Sequence, residues 1–276
     1  MPSPAEITVS QLARLIGTPQ CPVIVDICID EDYEADPRFI PGAFRHPFND
    51  IESLVPILQG RKTIVTCQRG IKLSQGASAL LRSHGADVEY LEGGNFGWRD
   101  AGLPLVPASA IPERRKDGHT LWVTRHRPKI DRIACPWLIR RFIDPGARFL
   151  FVSSAWVEGV ADRFGATPFD VKDVFWSHRG DQCTFDTMLD EFKLHTEALN
   201  RLALVIRAAD TDCHDLAPQA AGLLALSVGL SRQYRDDLQQ LEAGIGMYDA
   251  LYRWARDGFD EGHDWPGHVA KSGITT

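Results

Sequence analysis

The chain has no run of eighteen or more apolar residues, which excludes an α-helical membrane span of ordinary length. Its first residues, Met1-Pro2-Ser3-Pro4-Ala5-Glu6, lack the charged-then-apolar layout of a secretion signal, so a soluble, cytoplasmic protein without a membrane partner is expected. No C-x-x-C pair occurs among the six cysteines at 21, 28, 67, 135, 183 and 213, and their scatter suits reduced thiols better than a disulfide framework. Positive charge is in deficit. A formal net charge of −7 argues against broad attraction to nucleic acid, while leaving room for a local basic patch. Apolar residues are not scarce: 276 residues at 44% hydrophobic content suffice for two ordinary domains with their own cores.

The most informative stretch is Cys67-Gln68-Arg69-Gly70-Ile71-Lys72-Leu73-Ser74. The β-branched run Thr63-Ile64-Val65-Thr66 before it reads as a buried parallel strand, and Ser74 to His84 after it reads as a helix closed by Gly85. A cysteine at such a junction faces backbone N–H groups and the positive end of a helix dipole, the setting of nucleophilic thiols. The same N–H groups suit a bound oxyanion or persulfide, with Arg69 and Lys72 adding charge. The plain alternative is a structural cysteine in a glycine-containing turn.

Strand-like runs at Val23 to Asp26, Thr63 to Thr66 and Val88 to Leu91 alternate with helical patterns at Val9 to Ile16, Ile51 to Leu58 and Ser74 to His84, which argues for an α/β domain with a parallel sheet. From Pro104 to His119 three prolines, a charge cluster and a glycine break all periodicity. The expected division is a first domain over 1–106, a linker over 107–119 and a second domain over 120–276.

Ile40-Pro41-Gly42-Ala43, Cys67 with Gly70, and Leu91-Glu92-Gly93-Gly94 followed by Trp98 give residues 5–106 a resemblance to the rhodanese family. The resemblance implies a thiol that carries sulfane sulfur as a persulfide, or a relative that binds tetrahedral oxyanions through Cys67 and the loop Gln68, Arg69, Gly70, Ile71, Lys72, Leu73 and Ser74. Two features depart from the family pattern. Seven positions, Cys67 to Leu73, precede the expected helix start at Ser74, a length suited to a larger anion, yet Leu73 stands where related phosphatase loops carry arginine. Cys28 stands where the family commonly has arginine, and reads either as a resolving thiol or as a small buried hydrophobe.

The second domain opens near Leu121-Trp122-Val123-Thr124 and reads as mostly α-helical, in an α+β arrangement. Residues 125–145 concentrate Arg125, His126, Arg127, Lys129, Arg132, Arg140 and Arg141 in an acidic chain, and Lys129, Arg132, Arg140 and Arg141 form a candidate anion-facing surface. Structural ion pairing is the competing reading. A strand is expected over Val171 to Trp176, then a helix capped by Thr184, then an apolar helix from Leu202 to Ala209. The turns beside them carry His178, Cys183, Asp210 and Asp212, a candidate divalent-metal set, although no spacing matches a known ligand motif.

The run Lys129 to Asp144 around Cys135, the turn His178 to Asp186, Arg207-Ala208-Ala209-Asp210, Ala221-Gly222-Leu223 and Tyr248 to Tyr252 make residues 120–265 resemble the C-terminal domain of ChrB-type chromate-resistance proteins. Together the two resemblances imply a sulfurtransferase or an oxyanion reductase, with Cys67 as nucleophile, Cys28 and Cys135 as further redox candidates, and thiosulfate or chromate as the small partner. No cofactor is certain. The alternative is a chromate- or metal-sensing protein without turnover. DNA binding by the Arg125 to Arg141 segment is disfavoured by net charge and by the lack of a helix-turn-helix candidate before it. Nothing in the sequence sets an oligomeric state.

Overall fold

The computed structural model describes residues 5–262; the readings placed on residues 1–4 and 263–276 lie outside the described residues. The chain runs β1 (Glu6–Ile7), α1 (Val9–Leu15), β2 (Val23–Asp26), α2 (Asp30–Ala35), β3 (Arg38–Phe39), β4 (Ala43–Arg45), a 3-10 segment, α3 (Val55–Leu58), β5 (Thr63–Thr66), α4 (Lys72–Ser83), β6 (Val88–Leu91), α5 (Gly94–Asp100) and β7 (Val106–Pro107). It continues through β8 (Leu121–Arg125), α6 (Asp131–Phe142), β9 (Arg148–Val152), α7 (Val157–Phe164), β10 (Thr167–Pro168), α8 (Thr184–Phe192), α9 (Glu197–Asp210), α10 (Ala220–Gln233) and α11 (Asp237–Asp257).

The first part is an α/β unit on a parallel sheet of order β1-β6-β5-β2-β4. Its central strands are buried on both faces, which is why β2 and β5 read as continuous β-branched runs rather than as alternating ones. Helix α4 covers β5 and β6 with Ser74, Ala77, Ser78 and Leu81, spaced as one helical face. It begins at Lys72 rather than Ser74, because the left-handed Gly70 (φ 69°) completes the turn and Lys72 and Leu73 can then join the helix. The non-helical loop is therefore Cys67 to Ile71, and a seven-position loop no longer argues for a larger anion.

The second part is mostly helical around a small parallel sheet of order β10-β8-β9. Helix α6 threads its centre: Ile133, Ala134, Cys135, Trp137, Leu138 and Ile139 are all fully buried, so the helix is apolar nearly all round. The strand expected over Val171 to Trp176 is instead a turn. Asp170 and Asp173 adopt φ of 50° and 64°, which no strand can hold, and a single bridge from Phe169 to Trp176 is what remains. The cap of α8 is Cys183 rather than Thr184, with the Asp186 carboxylate accepting from the Cys183 N–H at 3.0 Å.

One apolar cluster runs from Leu12 and Trp98 in the first part through Trp137, Phe142 and Tyr252 in the second. Gly17, at φ 79°, lies under the rings of Phe142 and Tyr252, and the Gly42 N–H donates to the Phe142 carbonyl. The expected linker is pinned to both sides. Pro107 pairs with Arg38 through β7 and β3, Arg114 lies 3.3 Å from Asp144, and Arg115 donates to the Phe164 carbonyl.

Candidate functional site

Two sites emerge, one in each part. In the first, Cys67 follows β5 directly, and adjacent β2 leads to Cys28. The Cys67 thiol, 5% exposed, donates to Ser74 Oγ at 3.3 Å, and Ser74 Oγ donates to the Ile71 carbonyl. Among the described residues no side chain caps α4 at Ile71, so its first-turn N–H groups have no side-chain acceptor there. The loop is fixed by backbone contact with the turn after β6: Asn95 N–H donates to the Cys67 carbonyl at 3.0 Å and Phe96 N–H to that of Gln68 at 2.9 Å. A Cβ on Gly94 would sit 2.1 Å from the Cys67 carbonyl oxygen, and one on Gly70 would sit 2.3 Å from that of Leu91. Only glycine fits at either position.

Beneath the loop, Asn95 joins the strand ends. Its Nδ2 donates to Asp26 Oδ2 at 2.8 Å and contacts Cys28 Sγ at 3.4 Å, while its Oδ1 accepts from Thr66 at 2.9 Å. Burial first, then the Asp26 carboxylate and its hydrogen bond, push the Cys28 thiol far up, so it is a poor attacking group. Gln68 is tied to Asp32 at 2.9 Å, whereas Arg69, Ile71 and Lys72 are exposed and Leu73 is half-buried. Asn95 escaped sequence reasoning because nothing in its spacing from Cys67 announces the contact.

The second site gathers at the start of α6. Ile130 before it adopts φ 42°, costly for a β-branched residue, and is held by Ser227 Oγ on its N–H (3.0 Å) and the Tyr248 hydroxyl on its carbonyl (3.0 Å). That turn aims Asp131 at the N-terminus of α8, where Oδ2 accepts from Thr184 N–H at 2.6 Å and Phe185 N–H at 3.4 Å. Thr184 Oγ1 donates to Asp170 at 3.0 Å. His178 Nε2 stands 3.2 Å from Asp210, 3.4 Å from Asp170 and 3.7 Å from Asp131. Arg132 Nε lies 3.1 Å from Asp170 without hydrogen-bond alignment, and Arg125 donates to the same oxygen at 3.4 Å.

Electrostatics here are strongly perturbed. Burial, reinforced by Asp210 and Asp170, pushes Asp131 well above the carboxylate range. Burial would also raise Asp170, but His178, Arg132 and Thr184 outweigh it and hold the carboxyl low. Hydrogen bonds to Asp170 and Asp210 push His178 up to about 10. Asp170, His178 and Arg125 line an open cavity of about 1150 Å³.

The fold breaks up two of the expected sets. Of the metal candidates it unites His178 with Asp210 but not with the other two. Cys183 is buried in the cap of α8, and Asp212 is exposed beside His214. Asp131 and Asp170 take their places, and no sequence spacing links these to His178. The basic set is likewise dispersed: Arg132 faces Asp170, Arg140 pairs with Glu242, and Arg141 makes a two-pronged pair with Asp249 at 2.7 Å. Lys129 keeps cationic neighbours instead, and burial with Arg132, Arg127 and Arg232 pushes its pKa down. Cys135 is fully buried in α6, where burial pushes its thiol well up, so it acts as a core residue.

Residues 8–101 match the family described as rhodanese-like domain, and residues 122–255 the one described as ChrB, C-terminal domain. The chain joins a rhodanese-like domain to a ChrB-type domain. It is 35% identical over 155 residues to Protein ChrB of Cupriavidus metallidurans, covering 55% of this chain and 46% of that one. It is 31% identical over 90 residues to an HTH-type transcriptional regulator of Mycobacterium tuberculosis, covering 32% and 39%. The chain thus spans less than half the length of either curated relative. A rhodanese-related protein from Thermoplasma volcanium superposes with a TM-score of 0.32 at 22% identity, over 37% of this chain and 96% of that one.

Proposed function

We propose that the chain is a thiol-dependent sulfurtransferase serving chromate resistance, with Cys67 as its nucleophile. The observation that carries this reading is the placement of Cys67 in a glycine-locked loop between β5 and the uncapped N-terminus of α4, within the rhodanese-like domain. With thiosulfate as donor, the Cys67 thiolate attacks the outer sulfur after losing its proton to solvent. A bond forms between Cys67 Sγ and that sulfur, the S–S bond to the sulfonate group breaks, and sulfite leaves with the electron pair. The loop and first-turn N–H groups stabilise the persulfide anion, and an acceptor thiolate then takes its terminal sulfur and frees Cys67. Chromate and sulfate, as tetrahedral dianions, compete for the same donors.

Incubating the full chain with thiosulfate and a thiol acceptor tests this. Cys67 is expected to gain the mass of one sulfur atom and sulfite to accumulate, with both lost in Cys67→Ser and kept in Cys28→Ala. Unchanged turnover in Cys67→Ser refutes the assignment.

The near-complete burial of the Cys67 thiol favours a second reading, a protein that binds or senses chromate or a metal without turnover. It predicts saturable chromate binding by calorimetry together with no persulfide on Cys67.

A further inference from the structure

We propose that Asp131, Asp170 and His178, with Asp210 beside His178, form a binding site for one first-row divalent metal ion in the ChrB-type domain. Three lines of geometry lead there. First, one imidazole nitrogen faces a carboxylate from three separate segments at 3.2, 3.4 and 3.7 Å. Metal–ligand bonds of about 2.1 Å place neighbouring ligand atoms about 3.0 to 3.4 Å apart in octahedral or tetrahedral geometry, so the first two separations match edges of a coordination shell and the 3.7 Å to Asp131 lies just beyond one. One oxygen or nitrogen each from Asp131, Asp170 and His178 falls within a 4.8 Å span.

Second, the Asp131 carboxylate is fully buried; its Oδ2 faces His178 and accepts from the start of α8, while its Oδ1 has no hydrogen-bond partner among the described residues. A buried acceptor left open is costly, and an ion is the kind of partner that satisfies it. His178 cannot fill that role for all three carboxylates, since a single Nε2–H serves one acceptor well. Third, the group is reachable: His178 is 40% exposed, and with Asp170 it lines the cavity. A cation can enter there and keep a coordination position open.

The donor set defines the ion. Carboxylate oxygens suit hard cations and imidazole suits borderline ones, so Mn(II), Fe(II) and Zn(II) satisfy both. Cys135 and Cys183, the thiols close enough to be felt at Asp131, are buried on the core side and supply no soft ligand.

The test uses the full chain, stripped with EDTA and titrated with manganese chloride and, separately, zinc chloride in a calorimeter. One equivalent of at least one ion is expected to bind and to raise the unfolding midpoint. His178→Ala should weaken that affinity at least about tenfold and reduce the midpoint shift accordingly. Asp131→Asn should do the same, but its amide also faces α8, so circular dichroism is needed to show that the variant folds. His178 sits at the solvent edge and decides the matter if Asp131→Asn does not fold. Cys67→Ser should bind the ion as the unaltered chain does, which keeps this inference separable from the sulfurtransferase reading. Failure of both ions to bind, or unchanged affinity in His178→Ala, overturns the proposal.

Discussion

The same substitution made at two glycines should have opposite effects, and the structure says by how much. Gly94 holds φ 58°, so alanine there carries a left-handed penalty of about 1 kcal/mol. Its Cβ would also lie 2.1 Å from the Cys67 carbonyl oxygen and 2.4 Å from the Gly70 nitrogen, both backbone atoms, where ordinary contact begins at 3.4 Å. The two loops must separate by more than about 1 Å, which adds about 1 to 3 kcal/mol of overpacking. A displacement of that size at a nucleophile also costs about 100-fold in rate. Gly76 lies inside α4, and among the described residues nothing comes within 4 Å of where an alanine methyl would sit, so Gly76→Ala should stabilise by about 0.5 to 1 kcal/mol. Urea denaturation midpoints for the pair, with the rate of persulfide formation on Cys67, measure both effects. A Gly94→Ala variant as stable and as fast as the unaltered chain would sink the claim that this close approach fixes the loop.

Asp249→Ala removes the acceptor shared by the Trp137 Nε1–H (2.8 Å) and both prongs of Arg141, and should cost about 2 to 3 kcal/mol in chemical denaturation. Gly17→Ala meets both the left-handed backbone and the Phe142 and Tyr252 rings at 2.4 and 2.8 Å; it should destabilise by about 2 kcal/mol or more, with faster hydrogen exchange where the two parts meet. Asp144 gives a pH signature. Burial raises its carboxyl, but the Thr120 N–H, Arg114 and His119 outweigh burial and hold it below the usual range. Its stabilisation is therefore complete above the unfolded value of about 4 and is lost as pH falls through the lower folded value. The stability gap between the unaltered chain and Asp144→Asn should shrink as pH falls below about 4; a gap at pH 3 as large as that at pH 5 refutes the assignment.

Sequence legibility followed the range of the forces involved. Strands β2, β5 and β6 and helix α4 were readable because buried parallel strands need unbroken β-branched runs and a covering helix needs one apolar face. Residues Val171 to Trp176 misled because their apolar content resembles a strand, whereas Asp170 and Asp173 turn the backbone at φ values that side-chain chemistry does not announce. The basic run from Arg125 to Arg141 was visible as composition. Which of its arginines stay free was not, since their partners Asp170, Glu242 and Asp249 lie far along the chain.

Composition and local pattern by themselves determined the α/β first part, the mostly helical second part, the free cysteines and the position of Cys67 between a strand and a helix. Each of these depends on residues within a turn or a strand of one another. Only the tertiary structure decided that Asn95 binds the strand ends beneath Cys67, that Cys28 and Cys135 are buried thiols, and that His178 meets Asp131 and Asp170 instead of Cys183 and Asp212. Such meetings arise when packing of the core folds distant segments together, and no local periodicity encodes them.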